Sequence, residues 1–175
     1  MDKARDYINF TWKGSIMKEL KVDAIKDGTV IDHIPAGKAI KLIGILKVDE
    51  TDQLMIGTQL QSKKYGRKDV IKIENREFSD HELNIITLIA PTATFVTIRN
   101  YETVKKTGAQ VPEIIEGIIK CPNPTCITNN EQMKTRFTLE NAKPIQIRCS
   151  FCERIYSVDD INRYINGNKE FKLNE

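Results

Sequence analysis

The chain has 175 residues, 40% hydrophobic and 29% charged, with a formal charge of +3. At roughly 100–200 residues per domain, it holds one ordinary domain or two small ones. The apolar fraction excludes a wholly disordered chain, nine Gly and six Pro exclude a collagen-like one, and no apolar run reaches the roughly 20 residues of a membrane span. The first 16 residues carry Asp2, Asp6 and Trp12 and lack the apolar core of a signal peptide, so the expectation is a cytoplasmic protein.

Residues 1–17 show no clear period and read as an extension. Leu20 to Ile25 alternates apolar and polar residues for most of its length, as a half-buried strand does. Asp27-Gly28 signals a turn, residues 29–34 resume extended structure, and Pro35 stops it. Residues 37–47 predict a helix with Ile40, Ile43 and Leu46 on its apolar face. Residues 53–60 and 67–74 read as strands joined by a polar loop around Gly66. Ser79-Asp80-His81-Glu82 is a capping box, followed by Leu83, Ile86, Ile89 and Ala90, and Pro91 ends the helix. Residues 93–98 and 101–104 are strand-like again.

This order gives a split β-α-β, ferredoxin-like α+β fold, an antiparallel sheet with two helices on one face. Its opposite face must be solvated, covered or used for association. Residues 107–112 carry turn residues and no period. The expected organisation is therefore a first domain over 18–106, a linker over 107–120, a small all-β domain over 121–160 and a tail over 161–175. Ile114, Ile115, Ile118 and Ile119 lead into the second domain and are expected to pack against both.

Cys121, Cys126, Cys149 and Cys152 all fall in the last third. A C-x4-C pair, 22 residues, then a C-x2-C pair is zinc-ribbon spacing. Each knuckle sets two thiolates on one side of an ion, and two knuckles close a tetrahedron. Two disulfides would fit an exported protein, which the amino terminus does not indicate. An iron–sulfur centre also takes four thiolates. Catalytic zinc keeps an open position, usually beside His, and His33 and His81 lie far upstream, so a closed structural Zn2+ site is favoured. A segment this small needs the ion for its folding free energy.

No nucleophile–base, P-loop or G-x-G-x-x-G pattern is present, which counts against an enzyme. His81 belongs to a helix start, whereas His33 admits a packed or a ligand-contacting reading. Lys63, Lys64, Arg67, Lys68, Lys72 and Arg76 oppose only Asp69 and Glu74, a local +4. That run is either a solvated edge or an anion site, with Lys105 and Lys106 as a second cationic pair. Residues 121–156 hold five cations and three acids, and an ion with four thiolates contributes −2. The near-zero sum lacks the clustered basic stripe of a nucleic-acid surface, so a protein partner suits the knuckles better.

Residues 29–36 (TVIDHIPA), 66–75 (GRKDVIKIEN), Cys121-Pro122-Asn123-x-x-Cys126 and Cys149-x-x-Cys152 closely resemble the regulatory-chain family of aspartate carbamoyltransferase, over about residues 20–158. The resemblance implies a non-catalytic allosteric subunit of pyrimidine biosynthesis. Its first domain would bind CTP or ATP and pair regulatory chains into dimers, and its zinc domain would dock on the catalytic chain. The implied nucleotide pocket comprises Val22, Asp23, Ala24, Ile25, Val30, Asp32, His33, Val70, Lys72, Ile98, Tyr101 and Lys106. The first strand's backbone and Ile25 would hold the base, Asp32 the ribose, and Lys72 and Lys106 base or phosphates. Asn123, Phe151, Glu153 and Arg154, on or beside the knuckles, are the expected partner contacts. Two positions depart from the family pattern: Val96 replaces a polar amide that helps hold phosphate, and Thr103 replaces an aliphatic residue. The alternative is a nucleotide-responsive zinc-ribbon module acting on another protein or on nucleic acid.

Overall fold

A computed structural model describes residues 24–46, 48, 51–157 and 160–161. The amino-terminal part runs β1 (Gly28–Pro35), α1 (Ala39–Ile45), β2 (Leu54–Ser62), β3 (Gly66–Glu74), α2 (Asp80–Ile89), β4 (Thr94–Arg99) and β5 (Glu102–Gly108). The strands form one antiparallel sheet in the order β2-β3-β1-β4-β5. The first four have the ferredoxin-like order expected of the split β-α-β pattern, and β5 adds an outer strand beside β4.

Strand alternation sorts the side chains. Ile31, Ile71, Ile73 and Phe95 point to one face and join Ala39, Leu42 and Leu46 of the α1 region and Ile85, Ile86 and Ile89 of α2 in the core. Val30, Asp32, Lys72, Val96 and Lys106 have the opposite parity. Gly28 starts β1 between two strands at φ +138°. A Cβ there would lie 2.2 Å from the Ile73 carbonyl, so no larger residue fits without backbone movement.

Helix α2 begins as its sequence predicts. Ser79 accepts from the Glu82 N–H, and Glu82 accepts from the Ser79 N–H and hydroxyl. Helix α1 is rotated from its predicted face. Ile40 is 64% exposed, while Ala39, Leu42 and Leu46 are buried. Ala24 and Ile25 lie outside any strand, and the rest of the strand predicted over 20–25 falls outside the described residues.

The second unit is a four-stranded antiparallel sheet, β6 (Ile114–Glu116), β7 (Arg136–Ala142), β8 (Ile145–Cys149) and β9 (Ile155–Ser157), ordered β6-β7-β8-β9. Ile115, Phe137, Ile147 and Tyr156 are buried in it. The passage between the sheets is short, because β5 continues to Gly108 and β6 starts at Ile114. The Ala109 N–H donates to the Ala93 carbonyl, and Ile115, Ile118 and Ile119 belong to the same hydrophobic cluster as the first core. At the far end, Ser157 and Asp160 cap each other reciprocally, opening a helical turn at residue 160. Among the described residues no helix is long and apolar enough to cross a membrane.

Candidate metal centre and sheet-face site

Cys121 and Cys126 flank the first knuckle, before a 3-10 turn at Ile127–Asn129, and Cys149 and Cys152 flank the second, between β8 and β9. Their four Sγ atoms lie within 4.8 Å of one another. Cys121 Sγ is 3.7 Å from Cys152 Sγ, and Cys126 Sγ is 3.9 Å from Cys149 Sγ. A tetrahedron with metal–sulfur bonds of about 2.3 Å has edges of about 3.8 Å, so the cradle fits a closed four-thiolate ion such as zinc. Cys121, Cys126 and Cys149 are buried, and Cys152 is partly exposed.

The surroundings prepare this site unequally. Burial pushes the Cys121 thiol up to about 12 and raises that of Cys149 as well. Burial also opposes ionisation of Cys152, but the Arg154 N–H, the Tyr156 hydroxyl and the Asn123 side chain outweigh it and bring this thiol down to about 6. A cation entering the site must therefore displace protons from buried thiols. The Thr128 hydroxyl donates to Cys126 Sγ at 3.2 Å, and the Asn129 amide donates to the carbonyls of Cys121 and Asn123, fixing the first knuckle.

A different constellation crosses the first sheet. Lys72 pairs with Val30, Val30 with Val96, and Val96 with Lys106. These four residues form one transverse row on the face away from the helices, apolar in the middle and cationic at both ends. Three strand spacings separate the lysine backbones by about 14 Å. Val70 and Asp32 lie one row along on the same face, and Ile98 lies one row the other way. The Asp32 carboxylate accepts from Lys68 Nζ at 2.7 Å and from the His33 N–H at 2.7 Å. Burial opposes its ionisation, yet these donors hold the carboxyl below its usual range. His33 sits at φ +58° where the β1–β3 register breaks, its ring edge-on to Tyr65.

Two family models match the chain: aspartate carbamoyltransferase regulatory chain, allosteric domain, over residues 20–110, and aspartate carbamoyltransferase regulatory chain, metal binding domain, over residues 113–162. The chain is 50% identical over 148 residues to an aspartate carbamoyltransferase regulatory chain of Pyrococcus horikoshii, covering 83% of this chain and 97% of that one. It is 50% identical over 154 residues to the regulatory chain of Sulfolobus acidocaldarius, covering 86% and 93%. It belongs to the aspartate carbamoyltransferase regulatory-chain family. It is thus a regulatory and not a catalytic chain, with an allosteric domain and a metal-binding domain.

Within that family frame, His33 stands at the β1 bend beside Asp32, and the other eleven expected nucleotide residues divide into three groups. Val30, Asp32, Val70, Lys72, Ile98 and Lys106 share the outer sheet face. Ala24, Ile25 and Tyr101 gather at its end, where the Tyr101 N–H donates to the Lys26 carbonyl and brings the β4–β5 turn against the entering chain. Val22 and Asp23 lie outside the described residues. Among the expected partner contacts, Phe151, Glu153 and Arg154 are exposed, but Asn123 is buried at 7%, and its side chain accepts from the Thr125 N–H and hydroxyl within the knuckle.

Two residues of the supposed basic cluster have interior roles. Asp69 is fully buried and accepts from the N–H groups of Gly37, Ala39 and Gln59, pinning the start of α1 and the irregular part of β2. Arg76 donates to Asp52, Glu82 and the Leu46 carbonyl, tying α1, α2 and the approach to β2 together. The signal for Asp69 was present in the sequence. It has the same strand parity as Ile71 and Ile73, so it points into the core.

Proposed function

We propose that this chain is the allosteric subunit of an aspartate carbamoyltransferase assembly and binds CTP or ATP on the outer face of its first sheet. The observation that carries the reading is the Lys72–Val30–Val96–Lys106 row. It offers an apolar floor for a base and ribose and one cation at each end. A ligand lying across the strands meets Lys72 at one end and Lys106 at the other. Val22, Asp23, Ala24, Ile25 and Tyr101 would close the base end, with Asp32 and His33 along the side. Val96 puts a methyl-bearing floor where the family pattern has an amide, so phosphate recognition rests on the lysines.

In this reading the metal domain holds one structural Zn2+ per chain on Cys121, Cys126, Cys149 and Cys152. Bound zinc supplies no chemistry beyond fixing the two knuckles. The domain docks on the catalytic chain through Phe151, Glu153 and Arg154, and regulatory chains pair as dimers through their allosteric domains. No nucleic acid or membrane is a partner.

Titration calorimetry of the full chain with CTP and ATP tests the pocket. Charge-assisted contacts contribute roughly 1.5–3 kcal/mol each, so Lys72→Ala or Lys106→Ala weakens binding about 10–150-fold. Unchanged affinity in the double variant refutes the assignment. Val96→Asn is expected to strengthen triphosphate binding. Elemental analysis of the purified chain tests the metal, with one zinc per chain expected. A chelator should loosen the second sheet and leave the first one folded, as read by hydrogen exchange.

A further inference from the structure

We propose that the Tyr156 hydroxyl is a positioning group of the metal centre, an outer donor that holds the Cys152 thiolate of one knuckle against the Cys121 thiolate of the other. The proposal rests on the reading that the four thiolates hold a metal. Tyr156 sits on β9 opposite Ile147, and its ring stands edge-on to buried Phe137 with centroids 6.4 Å apart. This packing aims the phenol inward. Its oxygen lies 3.6 Å from Cys121 Sγ and 3.8 Å from Cys152 Sγ. Metal-bound thiolates carry no proton, so the only hydrogen in either contact is that of the phenol, and it donates.

The electrostatic need is plain. Four thiolates around a divalent ion leave a formal −2 in a mostly buried site, and a buried charge requires donors. Backbone N–H groups serve Cys121 from Asn123, Cys149 from Phe151 and Cys152, and Cys152 from Arg154. The Thr128 hydroxyl serves Cys126. Asn123 serves Cys121 with its N–H and Cys152 with its side chain, whereas Tyr156 reaches ligands from both knuckles with one hydroxyl. Cys152 is also the least buried ligand, the sulfur that a chelator or an alkylating reagent meets first. The hydroxyl therefore guards the ligand at which metal release begins.

Tyr156→Phe removes the hydroxyl and keeps the ring against Phe137. Loss of an outer donor to a metal ligand typically lowers metal affinity 10–100-fold. Zn2+-loaded full-length Tyr156→Phe should yield its metal to a chelator about 10-fold faster than wild type, with alkylation appearing first at Cys152 by peptide mapping. In the Co2+-loaded chain, the sulfur-to-cobalt charge-transfer band should move to lower energy, because an undonated thiolate is the more easily oxidised. Thr128→Val should shift the same band without hastening alkylation at Cys152. Far-UV circular dichroism verifies that the fold is kept. An unchanged band and an unchanged release rate in Tyr156→Phe overturn the proposal while leaving the metal site standing. A wild-type chain that takes up neither Zn2+ nor Co2+ overturns both.

Discussion

The Thr92 hydroxyl donates a 2.7 Å hydrogen bond to the carbonyl of His33. Thr92 stands between α2 and β4, and His33 occupies the strained bend of β1 beside Asp32. The next residue, Ala93, accepts from the Ala109 N–H, where the chain leaves β5 for the second sheet. Two hydrogen bonds thus connect the backbone of the proposed nucleotide site to the passage between domains. Beyond it, Ile115, Ile118 and Ile119 are buried in the shared cluster.

A ligand shifts an equilibrium only through differential interaction with its two states, so this connection matters only if it changes with occupancy. Thr92→Val keeps the shape and removes the donor. The expected result is nucleotide affinity within a few-fold of wild type and a reduced catalytic response to CTP and ATP in the reconstituted assembly. Polar substitutions at Ile115 or Ile118 should uncouple in the same way, with a larger loss of stability. Variants that assemble, bind nucleotide and respond like wild type would exclude this route.

The Asp69 carboxylate holds three backbone N–H groups from two elements. Asp69→Ala leaves these donors without that partner in a buried place, at about 1–3 kcal/mol for each buried group left unsatisfied. We expect urea unfolding of the first domain to shift by about 3 kcal/mol or more, while Lys63→Ala, on the exposed hairpin, shifts it by less than about 0.5 kcal/mol. Equal midpoints for the two variants would contradict the buried role.

Asp69 also shows how far the fold was legible. Strands β1 through β4 declare themselves as short apolar, β-branched runs bounded by turn residues, although β2 buries no residue fully and β3 buries Asp69, Val70 and Ile71 in succession. The capping box at Ser79 and Glu82 declares α2. Helix α1 does not reveal its face, since residues 39–46 are apolar almost all round. The stripes 40-43-46 and 39-42-46 satisfy helical spacing equally well. Asp69 contributes to the choice from 30 residues away, by binding the Ala39 N–H and fixing the rotation of the first turn. The sequence marks β5 only over 101–104, because Lys105, Lys106 and Thr107 carry no apolar period, and an outer strand exposed along its length needs none. The metal cysteines were fully legible from spacing. The burial of Asn123 was not, because the Thr125 and Asn129 bonds that fold it inward exist only once the knuckle has formed.

Acid stability tests the Arg76 hub. Burial opposes ionisation of Glu82, but the Ser79 N–H, Arg76 and the Ser79 hydroxyl together hold its carboxyl below the ordinary range. A carboxyl lowered in the folded state contributes stability above its unfolded pKa of about 4.3. That contribution disappears as the pH falls through the lowered folded value. Wild type should therefore lose stability progressively below about pH 4.3. Glu82→Gln should be less stable near neutral pH and show a flatter acid limb in denaturation midpoints against pH. Parallel curves for the two proteins would show that the Glu82 ion pair carries none of the pH dependence.

The proposed docking surface separates two roles among the knuckle residues. Phe151 is 39% exposed and Ile155 46%, beside the charged Glu153 and Arg154. An exposed aromatic beside fixed charges has the composition of an interface anchor. Asn123 instead faces inward and accepts from Thr125. Phe151→Ala should therefore weaken association with the catalytic chain by about 2 kcal/mol, roughly 30-fold, with metal content unchanged. Asn123→Ala should act through the knuckle, so that metal loss precedes any loss of docking. Analytical ultracentrifugation of the reconstituted assembly, with zinc measured on each fraction, reads both quantities together. Full assembly by metal-loaded Phe151→Ala would remove this residue from the interface. Weakened docking by fully metal-loaded Asn123→Ala would return Asn123 to it.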